Sequence, residues 1–147
     1  MVWDRGDKKM AGPAEAVIDA STAIKWLSVE EGTQEALRLR DEHIDGVTIL
    51  SAPDLILYEL ANAIRYKPDF GEEKVSQAIK SIIDLQLDLI TPGRELLQQT
   101  TKNAYKYGIT SYDSCYLALG ELMGILVYTS DKRFYKKAKE SDILKLI

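Results

Sequence analysis

One cysteine and one histidine are all that 147 residues offer of the side chains most used for nucleophilic catalysis and zinc binding. Cys115 alone can neither close an internal disulfide nor build a cysteine-rich zinc site. Its setting, YDSCYLALG, is that of a buried structural thiol. A Ser-His-Asp, Cys-His or His-ligated zinc mechanism would need His43, which lies in the polar segment RLRDEHIDG at what reads as the exposed end of a helix. No apolar run is long enough to span a bilayer. The opening MVWDRGDKKMAGPAEA carries charges of both signs around no apolar centre, unlike a secretory signal, so a cytoplasmic location is expected. The phosphate loop GxxxxGK[ST] is missing, which removes the usual support for nucleotide hydrolysis. No repeat, low-complexity tract or interdomain linker interrupts the chain. The net charge of -4 speaks against a surface that holds nucleic acid by bulk positive charge. Carboxylates that collect metal ions count as negative until the metal arrives, so an acidic balance leaves that chemistry open.

What is present is a composition of 46% hydrophobic and 29% charged residues, enough apolar material for a single core without staples. Short runs rich in branched residues alternate with segments of helical periodicity. AVID (16–19) reads as a buried strand stopping at an acid, and a helix should follow. Leu37, Leu39 and Ile44 mark a helix ending near Asp45-Gly46, and VTILSAP is a second strand. Pro53 suits the first turn of a helix over about 53–66. After the turn Pro68-Asp69-Phe70-Gly71, the spacing of Val75, Ala78, Ile79, Ile82 and Ile83 predicts another. DLIT is a third strand. Leu96, Leu97, Thr100 and Ala104 mark a helix closed by Gly108, and Tyr112, Cys115, Leu119 and Leu122 mark the next. ILVYTSD is a fourth strand, KRFYKKAKE a basic helix and DILKLI a last short strand. The alternation predicts an α/β domain with a central, mainly parallel sheet flanked by helices.

Asp19 ends the first of these strands and Asp131 follows ILVY by two residues. In an open parallel sheet such strand ends face the ligand crevice, above all where the strand order reverses. Each is equally suited to cap the helix after its strand. Glu59 is the one charged residue between Asp54 and Arg65, in LILYELANAI, and must face water, find a partner or bind a cation. Asn62 shares its helical face. Asp113 stands in the first turn of a helix opened by Thr110 or Ser111, where the helix dipole alone favours an acid. Together the four acids offer hard oxygen ligands for magnesium or manganese, and a pair of such ions can carry a phosphodiester displacement without a histidine base. Ser21 and Thr129 can support the carboxylates, or serve as local caps.

The segments VIDASTAIKW, APDLILYELANAI, ITSYDSCYLALGELMG and VYTSDKRF resemble the PIN-domain family, and within it the VapC-like toxins of toxin–antitoxin pairs, from about Val17 onward. The third segment is the most specific: Tyr-Asp entering an apolar helix, then glutamate and glycine before a strand that ends Thr-x-Asp. The resemblance implies a PIN domain over 16–147 behind an N-terminal extension at 1–15. It also implies magnesium-dependent endoribonuclease activity, an acidic site of Asp19, Glu59, Asp113 and Asp131, and polar support from Ser21, Asn62 and Thr129. It further implies a cognate antitoxin as a separate chain, and exposed apolar residues in the early helices would favour a homodimer. The extension is longer than the family's usual start and has no assigned role.

Lys132, Arg133, Lys136 and Lys137 follow the last acid, on one broad helical face that can hold RNA phosphates or simply be solvated. Tyr105, Tyr107, Tyr112 and Tyr116 invite base stacking, but packing at the core and its rim is the expected role of most of them, as it is of Trp26. Two other classes stay open. A PIN-like module can hold RNA or a protein without cutting. A phosphotransfer or phosphatase domain using Asp19 lacks the second aspartate two residues on, because the chain continues Ala-Ser-Thr.

Overall fold

A computed structural model describes residues 2–4, 9–27 and 31–147, with side chains from residue 12 onward. In the extension, β1 (Val2–Asp4) and β2 (Lys9–Ala11) pair antiparallel as a separate small sheet. The main sheet is wholly parallel and is made of β3 (Ala14–Ile18), β4 (Thr48–Pro53), β5 (Asp88–Ile90), β6 (Leu126–Thr129) and β7 (Leu144–Leu146). Its spatial order is β5-β4-β3-β6-β7. The chain builds outward from β3 in one direction, then returns past it and builds in the other. The strand order therefore reverses between β3 and β6, which opens a crevice at their C-terminal ends.

Consecutive burial identifies β3 and β4 as interior strands. Val17, Ile18, Leu50 and Val127 are fully buried, because helices cover both faces of a parallel sheet. The first crossover carries α1 (Ala20–Ala23), a 3-10 turn (Ile24–Leu27) and α2 (Thr33–Ile44), so the helix expected after AVID forms but breaks early. Next come α3 (Leu55–Arg65), α4 (Glu72–Asp84), α5 (Arg94–Tyr107), α6 (Ser111–Met123) and α7 (Lys132–Ala138). Ile56, Leu60 and Ile64 bury one stripe of α3, whereas α6 is buried continuously from Ser114 to Gly120. A helix apolar on all sides is sandwiched, and α6 lies between α5 and the sheet.

Two expectations change. Pro53 closes the strand VTILSAP as β4, as expected, but the helix after it starts at Leu55 and does not include Pro53 in its first turn. His43 is no exposed helix end. Its Nδ1 accepts from Leu50 N–H at 3.0 Å and its Nε2 lies 2.8 Å from the Leu85 carbonyl, so the neutral ring protonated at Nε2 clamps α2 to β4 and to the end of α4. Among the described residues no helix is long and apolar enough to cross a membrane.

Candidate active site

The crevice is built from the ends of β3 and β6. Ile18 pairs with Tyr128, and the next residue, Asp19, donates its N–H to the Tyr128 carbonyl at 3.2 Å. Asp19 is thereby buried opposite Thr129. Its Oδ1 accepts from Ser21 Oγ at 2.7 Å and from Thr22 N–H at 3.0 Å, and its Oδ2 accepts from Thr129 Oγ1 at 2.5 Å. Thr129 Oγ1 also accepts from Asp131 N–H at 3.0 Å, and Ser21 Oγ accepts from Ser130 N–H at 2.9 Å. Both hydroxyl protons are spent on Asp19, so the 3.3 Å approach of Ser21 to Thr129 is contact rather than a bond. A carboxylate has about four lone-pair sites and Asp19 uses three, which leaves one free on Oδ2.

Capping and site roles coincide. Asp19 caps α1, and Asp131 caps α7 by accepting at Oδ1 from the N–H groups of Arg133 and Phe134 at 2.9 and 3.1 Å. Asp131 Oδ2 remains available. Thr110 caps α6 by accepting from Asp113 N–H at 3.0 Å, which sets Asp113 in the first turn. Glu59, half-buried on α3, accepts at Oε1 from the Tyr116 phenol at 2.5 Å. The sequence placed Tyr116 in packing only. It is buried, yet its hydroxyl ends on Glu59, and a tyrosine inside an otherwise apolar buried helix was the available signal, since its O–H needs a partner.

The electrostatics bring the four acids into one field. Burial pushes Asp113 up from 3.8 to about 6, and the charges of Asp131, Asp19 and Glu59 add to it. Burial likewise raises Glu59, with Asp19 contributing and the Tyr116 hydrogen bond opposing. Asp19 is raised by burial against the bonds from Thr129, Ser21 and Thr22. None of the four pairs with a described lysine or arginine. Asn62, one turn beyond Glu59 on α3, is exposed.

Hard oxygen donors with uncompensated charge fit a magnesium or manganese ion in kind. Among the described residues no three potential ligands already stand at coordinating positions around one point, so an ion would draw together groups that now repel.

The basic run divides. Phe134 and Ala138 turn inward and fix the rotation of α7. Arg133 and Lys137 then line a cavity shared with Asp113 and Asp131, while Lys132 lies 3.5 Å from Glu31 and Lys136 is exposed. The tyrosines divide as well. Tyr107 is half-buried, but Tyr105 and Tyr112 are 88% and 66% exposed. Trp26 packs on the core rim and donates Nε1–H to the Ala36 carbonyl at 2.7 Å.

A doubly wound parallel sheet with acids at its switch point agrees with a match of residues 16–140 to the model of the PIN domain, and the chain belongs to that family. Ribonuclease VapC3 of Pyrobaculum aerophilum is 28% identical over 125 residues, covering 82% of this chain and 92% of that protein. Among solved structures, a toxin–antitoxin complex from Klebsiella pneumoniae matches with TM-score 0.65 at 13% identity, over 88% of this chain and 95% of that one. VapC20 of Mycobacterium tuberculosis, described as a Sarcin-Ricin loop cleaving toxin, matches with TM-score 0.65 at 14% identity, over 84% and 95%. At these identities the solved structures speak for the fold.

Proposed function

We propose that this protein is a magnesium- or manganese-dependent endoribonuclease that hydrolyses RNA phosphodiester bonds, and that it is the toxin of a toxin–antitoxin pair. The observation that supports this reading is that the charges of Asp131, Asp19 and Glu59 all act on Asp113, while none of the four acids pairs with a lysine or arginine among the described residues. Support comes from the relative named a ribonuclease, and the neighbours in fold include one described as a Sarcin-Ricin loop cleaving toxin and one described as a toxin–antitoxin complex.

In this reading the four acids would hold the metal, which supplies positive charge against the phosphodiester oxygens and the attacking water. The chain's own contribution is placement. Ser21 and Thr129 fix the orientation of Asp19, and Tyr116 fixes Glu59. Asp131 is held by the start of α7 with one oxygen free, and Arg133 and Lys137 of that helix, which line a cavity with Asp113 and Asp131, would face the substrate strand. Asn62 would stand beside Glu59 as a polar contact for RNA. A small antitoxin would cover the acids in the cell, and Tyr58, Tyr66 and Ile83, all exposed, are available to a second copy of the chain.

The test is incubation of the purified protein with structured and unstructured RNAs, with magnesium or with chelator, read for cut position. Discrete cuts that appear only with the metal are expected. Undiminished cleavage in excess chelator contradicts the metal mechanism. RNA bound equally in both conditions and never cut would instead make the protein a binding module.

A further inference from the structure

The turn Gly108-Ile109-Thr110 before α6 and one face of α7 enclose a cavity of ≈ 240 Å³ whose lining includes Asp113, Asp131, Arg133 and Lys137. Two acids of the candidate centre thus share a cavity with two cations. The Arg133 guanidinium makes no ion pair or hydrogen bond with any described residue, although two carboxylates line the same space. Lys137 Nζ donates to the Gly108 carbonyl at 3.2 Å, a neutral partner that leaves its charge uncompensated. A guanidinium presents five N–H donors in a rigid fork that matches the oxygens of a phosphate.

We propose that this cavity is a subsite for a single RNA phosphate, the one adjoining the bond that is cut, with Arg133 as its anchor and Lys137 as its second cation. The proposal rests on the ribonuclease reading and sharpens it. Small-molecule sites run to about 300–1,000 Å³, and a smaller cavity beside the acids takes one nucleotide unit rather than a stacked run of bases. Phosphates repeat once per nucleotide, so a strand placed across the acids brings its next phosphate to the neighbouring wall. Lys132 and Lys136 are excluded by geometry, because Phe134 and Ala138 turn them to the outer side of α7.

The experiment is cleavage, in magnesium, of short single-stranded RNAs carrying a neutral methylphosphonate at one linkage at a time. The parent is expected to lose about tenfold or more in kcat/KM when one linkage beside the cut is neutral, the effect of a lost charge-assisted bond. R133A loses a similar factor on all-phosphate RNA and no longer responds to that linkage. R133K recovers part of the loss, since a point charge replaces a fork, and K136A loses less than R133A and stays sensitive there. Parent-like cleavage by R133A, or unchanged sensitivity of R133A at every linkage, overturns the subsite. If the parent cuts no RNA, the ribonuclease reading fails separately, and the cavity is then judged by fluorescence anisotropy of the same oligonucleotides in magnesium. There, binding weakened about tenfold by R133A only when that phosphate is charged supports the subsite, and equal binding by parent and R133A overturns it.

Discussion

The Tyr116 phenol donates to Glu59 Oε1 at 2.5 Å, joining α6 to α3 across 57 positions of chain. Tyr116 itself is buried, with its own titration raised by desolvation and by the Glu59 charge, so it stays a proton donor at any working pH. A carboxylate held by a rigid buried donor has one oxygen fixed and the other free to turn toward a ligand. Y116F removes the donor with almost no change in volume. Its cleavage rate should fall about tenfold or more, in line with losing a hydrogen bond to a charged group. The far-ultraviolet circular dichroism should match the parent. A parent-like rate would reduce this bond to packing.

The raised acids give the metal-free protein a definite pH response. Asp113 goes from an ordinary 3.8 to about 6 in the fold, so between those values the folded state binds the proton more tightly than the unfolded chain does. Stability contributed by the protonated form is complete below the ordinary value and is lost as pH rises through about 6. Asp19 and Glu59 are raised as well and act in the same direction. In chelator, the melting temperature should therefore decline as pH rises through this window. D113N should flatten the decline, and an equal slope in the two proteins would remove Asp113 from the cluster.

Gly120 marks the closest approach of α6 to the sheet. A Cβ there would lie 2.2 Å from Val127 Cγ2 and 3.1 Å from the Ile125 carbonyl oxygen. Val127 is fully buried and branched, so it cannot swing aside. G120A should cost about 1–3 kcal/mol by overpacking, measured by chemical denaturation, despite the gain in helix propensity. A stability equal to the parent's would mean that α6 can ride higher on the sheet.

The strands were legible because a buried parallel strand announces itself as a short branched run. AVID, VTILSAP, DLIT, ILVYTSD and DILKLI all form, although the first begins two residues earlier, at Ala14. Asp19 and Asp131 were legible as neighbours because each follows closely on a strand end, and strand ends converge wherever the order reverses. The hydrogen-bond partners of Tyr116 and His43 were not legible, for a common reason. Their partners, Glu59, Leu50 and Leu85, are distant or neutral groups that only packing brings near. The basic run looked like one face, and its division depends on which apolar residues of α7 turn inward. Phe134 and Ala138 decide that, and their rotational phase becomes legible only once the helix is docked on β6 and β7.

The central claim is that four acids form one cation-holding site, and melting of the parent and D113N across a magnesium titration tests it most directly. The Asn side chain keeps the size of Asp113 and removes the charge that burial, and after it the Asp131, Asp19 and Glu59 charges, oppose when they lift Asp113 to about 6. A first-turn acid placed only for the helix dipole would contribute about 0.3–1 kcal/mol and would have its titration lowered, not raised. The account predicts that D113N melts above the parent in chelator, and that magnesium then raises the parent by mass action and D113N far less. A D113N protein that melts below the parent in chelator and keeps the full magnesium response would contradict it.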